Sequence, residues 1–225
     1  ISLLIFLLVT SIGQAEDRPN VIVFYTDDHG HADLSCQGVL DDIRTPNVDA
    51  LAKSGVLARN GYSTAPQCVP SRAGLMIGKF QSRFGVETNS NSLNGFNTEQ
   101  TIAERLQKAG YITAQFGKWH LGLEAPSRPT DHGFDHFHGF LGDMMDDYWT
   151  HTRHERHYMR LNSNDVRPEG HATDIFSDWA ADYITARAGK VQPWFCYLAY
   201  NAPHTPVQPP RAYLEKVLSR EPGID

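Results

Sequence analysis

Gln67-Cys68-Val69-Pro70-Ser71-Arg72-Ala73-Gly74-Leu75-Met76-Ile77-Gly78-Lys79 sets one cysteine against a proline-led helical run. Pro70 suits a first helical turn, where its missing N–H has no partner to lose. Cys68 then lies just ahead of a helix N-terminus, where unpaired N–H groups and the dipole favour negative charge. Arg72 follows four residues on, and helical side chains lean toward the N-terminus, so its guanidinium reaches the same point. A sulfur atom, a fixed cation and a helix end thus meet in a combination suited to a tetrahedral anion. On spacing alone the cysteine can equally be a small buried hydrophobe.

Working outward, the flanking segments alternate strand and helix. Val21-Ile22-Val23-Phe24-Tyr25 is a β-branched and aromatic run, the pattern of a strand buried on both faces. It empties into Thr26-Asp27-Asp28-His29-Gly30, where two adjacent carboxylates are costly unless solvated or neutralised. Thr45 caps a helix opened by Pro46, striped by Val48, Leu51 and Ala52, and closed by Gly55; residues 56–62 return as a strand. Residues 85–98 read as loop, and Thr101-Ile102-Ala103-Glu104 as a capping box that opens a helix stopped by Gly110. A strand from Tyr111 delivers Gly117-Lys118-Trp119-His120-Leu121-Gly122. His171 to Arg187 is helical, capped by Thr173, and Trp194 to Tyr200 is a buried strand that ends in Asn201-Ala202-Pro203-His204-Thr205-Pro206. The class is α/β, a central largely parallel sheet sandwiched by helices, in which ligands gather beyond the carboxyl ends of the strands.

The 225 residues carry a net charge of −6, which argues against nucleic acid or an anionic membrane surface as partner. Ile1 to Val9 is apolar and Gly13-Gln14-Ala15 offers small residues, so residues 1–15 read as an N-terminally clipped secretory signal peptide, too short to span a bilayer. The protein is therefore expected to be secreted or periplasmic, with no stable membrane insertion after cleavage. Cys36 and Cys196 could pair, although the apolar surroundings of Cys196 favour a free buried thiol. His151, His154 and His157 recur beside Arg153, Arg156 and Arg160 in what reads as a solvated insertion, or as a basic wall attracting an anionic sugar.

Cys68-Val69-Pro70-Ser71-Arg72, with Leu75 and Gly78, resembles the signature of the type I sulfatases, whose cysteine is oxidised to formylglycine; Ile77 stands where the family usually has threonine. The Asp27-Asp28 run resembles that family's calcium motif, Gly117–Gly122 its Lys-x-His motif, and Asn201–Pro206 its N-x-P-H-x-P motif. The resemblance implies the alkaline-phosphatase-like sulfatase fold and a sulfuric ester hydrolase, with sulfated small molecules or glycans as substrates and carbohydrates favoured. It implies calcium, or magnesium, held by Asp27, Asp28 and the modified Cys68. It implies a formylglycine-generating maturation enzyme as partner. Arg72 and Lys118 would hold the anion and the modified residue, His204 would serve the leaving oxygen, and His120 would help expel sulfate. The family completes its metal site with a later Asp-Asn pair, and no Asp-Asn dipeptide occurs here. Residues 16–225 are accordingly expected to be the N-terminal portion of a catalytic domain whose C-terminal part is missing. Two alternatives are a phosphate or phosphonate monoester hydrolase of the same superfamily, and a non-catalytic sulfated-glycan binder with Cys68 unmodified.

Overall fold

The computed structural model describes residues 18–220; the expected signal peptide lies outside them. The strands are β1 (Val21–Asp27), β2 (Ile112–Lys118), β3 (His136–Phe140), β4 (Thr152–Arg153), β5 (Arg156–His157), β6 (Met159–Leu161), β7 (Asn164–Asp165) and β8 (Trp194–Pro203). The helices are α1 (Pro46–Ser54), α2 (Cys68–Ile77), α3 (Asn94–Asn97), α4 (Ile102–Lys108), α5 (Ala172–Ala186) and α6 (Arg211–Arg220). One six-stranded sheet runs β1-β8-β2-β3-β6-β7; its first four strands are parallel and its last two antiparallel, while β4 and β5 form a separate hairpin.

Side-chain alternation along β8 explains the layering. Phe195, Tyr197 and Ala199 join Val69, Ala73 and Met76 of α2 and Ala103 of α4 in one core. Trp194, Cys196 and Leu198 face the other way, onto Ile175, Phe176 and Ala180 of α5. A strand covered on both sides can be continuously apolar. Each such large apolar side chain contributes about 1.5–3 kcal/mol by leaving water. Gly117 fixes how closely β2 and β8 pack: its φ is +86°, and a Cβ there would meet the Ala199 carbonyl oxygen at 1.9 Å.

Several sequence expectations are corrected. β1 is an edge strand among the described residues, and Phe24 is 58% exposed. Residues 56–62 form no strand; Val56 is 97% exposed. α1 has no buried residue, Val48 and Leu51 of its stripe being exposed, and the Thr45 side chain hydrogen-bonds Ser35 and Asp49 instead of capping the backbone. Within the expected loop 85–98, Phe96 is buried and forms part of α3. His171, not Thr173, caps α5: its Nδ1 accepts the Thr173 N–H at 3.3 Å. The Thr101–Glu104 capping box forms as read. All three cysteines are free, Cys196 buried among them, so Cys36 and Cys196 do not pair.

On the α5 side, His138 stacks on Trp179 with ring centroids 3.3 Å apart. Burial, aided by neighbouring His136, pushes the His138 pKa down to about 4. A histidine held neutral in the fold leaves the unfolded chain to take up the proton first, so stability present above pH 6.5 is lost as pH falls toward 4. The melting temperature should therefore drop between pH 7 and pH 5, and His138→Phe should shrink that drop. A variant whose pH dependence matches the parent would remove His138 from this role.

Candidate active site

Because β1, β8 and β2 are parallel neighbours, their carboxyl ends lie side by side. Asp27 closes β1, Lys118 closes β2 and leads into His120, and His204 follows Pro203 at the end of β8. Cys68 is the first residue of α2, with Gln67 as its cap, so it sits in the first helical turn instead of just ahead of it. The α2 N-terminus is pinned from a distance: Asn89 accepts the Val69 N–H at 3.0 Å, and the Asn89 N–H donates to the Gln67 side chain. Sequence spacing gave no hint of Asn89.

Charge organises the centre. Asp27 is 5% exposed, Arg72 1% and Lys118 fully buried. Lys118 Nζ donates to Asp27 Oδ2, and Arg72 Nη2 lies 3.6 Å from the same oxygen. Burial alone would raise the Asp27 pKa, but the two cations outweigh it and hold the carboxyl below its usual range. Arg72 also donates to the Lys118 carbonyl at 3.0 Å, while its Nε and Nη2 have no hydrogen-bond partner. Buried guanidinium N–H groups without acceptors are costly, and an incoming anion would satisfy them.

Cys68 Sγ donates to Asp27 Oδ1 at 3.4 Å. Burial, and then the Asp27 carboxylate against the opposing pull of Lys118, raises the thiol pKa. The helix end does not make this cysteine a thiolate. Burial, with Lys118 and Arg72 adding repulsion, pushes the His120 pKa down to about 3, so its imidazole is neutral. His120 occupies left-handed backbone (φ +56°), and its buried Nδ1 has no partner.

The expected metal ligands come together incompletely. Ligand atoms of Asp27, Cys68 and His204 lie within 4.8 Å of one another; Asp28 is not in this compact group, though its Oδ2 is 3.5 Å from His204 Nε2. A cleft of about 370 Å³ lined by Asp27, Asp28, His29, Gln67, Cys68 and Ser71 opens on them. His120 opens instead on a neighbouring cleft with Asn89 and Asp143.

A sulfatase family model matches residues 19–223. The chain belongs to the sulfatase family. Human N-acetylgalactosamine-6-sulfatase is 33% identical over 222 residues, covering 89% of this sulfatase chain and 42% of the relative. N-acetylglucosamine-6-O-sulfatase of Bacteroides thetaiotaomicron is 36% identical over 193 residues, 83% of this chain and 31% of the relative. Among solved structures, Ps i-CgsB in complex with k-i-k-neocarrahexaose superposes with a TM-score of 0.80 at 32% identity, over 92% of this chain and 49% of that one. The fold is thus the alkaline-phosphatase-like sulfatase fold, and the sulfatase chain spans less than half the length of the curated relatives it matches.

The histidine- and arginine-rich segment of this sulfatase is not a free basic wall. Arg153 is held by both oxygens of Asp143 at 3.0 and 3.1 Å and by Asp146 at 2.8 Å, and Arg160 pairs with Asp165. His151 is buried and bonds the Gly170 carbonyl at 2.9 Å. Arg156 remains exposed on the β4–β5 hairpin. Among the described residues no helix is long and apolar enough to cross a membrane.

Proposed function

We propose that the protein hydrolyses sulfate monoesters, with sulfated carbohydrates as substrates, at the cluster of Cys68, Arg72, Lys118, His120 and His204. The single observation that carries this reading is the meeting of Cys68, Arg72, Lys118 and His204 with Asp27 beyond the strand ends, with His120 two residues past Lys118 on the adjoining cleft. The names of the similar proteins support carbohydrate as the leaving group.

The donors present suit a hard divalent cation in kind. Asp27 Oδ1 has only a weak thiol partner, and Asp28 is largely exposed beside His204. Asp27, Asp28 and an oxygen at position 68 would hold calcium or magnesium, which would screen the ester oxygens and lower the pKa of a bound hydroxyl. Two carboxylates and two buried cations already cancel; a divalent ion would leave positive charge for the anionic ester to neutralise. Oxidation of Cys68 to formylglycine by a maturation enzyme would supply, after hydration, a nucleophilic hydroxyl and a second one for release. A plain thiol or hydroxyl attacking sulfur would leave a stable sulfated enzyme, whereas a diol can expel sulfate through its second hydroxyl.

The remaining work falls to this chain's side chains. Arg72 and Lys118 hold the ester through charge-assisted hydrogen bonds. His204 gives a proton to the bridging oxygen as the alcohol leaves. His120 takes a proton at the release step; the negative charge of a bound sulfate raises its pKa from the low value it has here.

We further propose that residues 1–15 direct export and that residues 16–225 are the N-terminal portion of the catalytic domain. Two carboxylates fall short of the six to eight oxygen ligands that calcium takes. Residues 16–225 alone should therefore bind calcium weakly and turn over little 4-nitrophenyl sulfate; substantial activity from this piece would overturn that assignment. In the full-length matured protein, 4-nitrophenyl sulfate and N-acetylhexosamine 6-sulfates should be cleaved in preference to 4-nitrophenyl phosphate. A preference for phosphate would favour the phosphomonoesterase reading, and sugar binding without turnover would favour a glycan binder.

A further inference from the structure

His204 sits on a segment with little backbone to hold it. Pro203, Pro206, Pro209 and Pro210 fall within eight residues, and each lacks an N–H. Side chains from elsewhere supply the missing bonds. Tyr148 Oη donates to the His204 carbonyl at 2.8 Å, and the Tyr148 N–H donates to Gln208 Oε1 at 2.9 Å. Gln208 Nε2 donates to Asp147 Oδ2 at 3.1 Å, and His171 Nε2 donates to the Gln208 carbonyl at 2.9 Å. The Tyr148 ring, 3% exposed, stacks on His171 with centroids 5.3 Å apart and planes within 16°. His204 Nδ1 meets the Thr205 carbonyl at 2.8 Å; a carbonyl can only accept, so Nδ1 carries a hydrogen of its own, and the proton given to the leaving oxygen is a second one, on Nε2, which is turned toward Asp28.

We propose that Tyr148 and Gln208 are positioning residues for His204, fixing its Nε2 against the ester oxygen from the far side of the polypeptide. The inference rests on the reading of His204 as the proton donor to the leaving group. It follows from geometry: the Tyr148 hydroxyl grips the backbone of the histidine itself, and Gln208 ties the same segment four residues later to the residues on either side of that tyrosine's amide. Misplacement of a reacting group by about 1 Å can cost on the order of 10²-fold, so loss of one hydroxyl here should be felt in the proton transfer.

The test uses full-length matured protein and three aryl sulfates, 4-nitrophenyl, phenyl and 4-methoxyphenyl, whose phenols are progressively poorer leaving groups. Tyr148→Phe should lower kcat/KM for all three, and for 4-methoxyphenyl sulfate about tenfold more than for 4-nitrophenyl sulfate. Gln208→Ala should steepen the dependence in the same sense. His204→Ala should steepen it at least as much, and adding Tyr148→Phe to it should steepen it no further, because residues acting as one unit are not additive. Loss of folded protein would lower all three esters by one factor, so a uniform fall in Tyr148→Phe overturns the inference, as does a slope change that adds to that of His204→Ala. A steeper slope in His204→Ala with none in Tyr148→Phe and Gln208→Ala defeats the positioning role alone. An unchanged slope in His204→Ala defeats the proton-donor reading and this inference with it.

Discussion

Cys68→Ala in the full-length matured protein should abolish turnover of sulfate esters, with a loss on the order of 10³-fold or more, as for removal of a covalent nucleophile. The size follows from where the residue lies. Cys68 is in the first turn of α2, with Asp27 at one side and the unpaired Arg72 N–H groups behind. No other described side chain offers a nucleophile to that cleft from the same helix end except Ser71, whose hydroxyl is paired with Tyr25 at 2.7 Å. Stability should change little, because the side chain is only partly buried and the methylene is kept. Measuring 4-nitrophenyl sulfate hydrolysis together with the melting temperature separates the two effects. Activity within tenfold of the parent would take the chemistry away from Cys68.

Asp27→Ala should cost both stability and activity. The carboxylate is shared by two cations that are themselves out of water, Arg72 and Lys118. Removing one member of a buried ionic group leaves the others uncompensated, at about 3–5 kcal/mol, or on the order of 10 °C in melting temperature for a domain of this size. Burial and the Arg72 charge already lower the Lys118 pKa, so the lysine would shed its proton to relieve part of the cost; arginine cannot. The double variant Asp27→Ala/Lys118→Met should therefore melt higher than Asp27→Ala alone while remaining inactive. Melts run in chelator keep metal binding out of the comparison. A double variant no more stable than the single one would show that the buried charges are not coupled as described.

Much of this was legible because local chemistry and global topology agreed. Each predicted site residue except Arg72, one turn into α2, sits at or just past the end of a strand or at the start of a helix, positions that the Asp27-Asp28 turn, the Gly117–Gly122 turn and Pro70 mark in the chain itself. The parallel α/β class follows from continuously apolar runs such as Trp194–Tyr200, which both cores then cover. What escaped was set by long-range pairing. Nothing local shows that Val21–Tyr25 is an edge strand among the described residues, that Arg153 is consumed by Asp143 and Asp146, or that His151 is buried against Gly170. Tyr148, Gln208 and Asn89 carry no periodicity or motif spacing of their own; their roles exist only once distant loops have closed.

Mass spectrometry of the Cys68 peptide, from full-length protein made in cells with a maturation system and shown to cleave 4-nitrophenyl sulfate, bears most directly on the proposed chemistry. An aldehyde or its hydrate in place of the thiol is the expected outcome. An active preparation whose position 68 is quantitatively an alkylatable cysteine would contradict it.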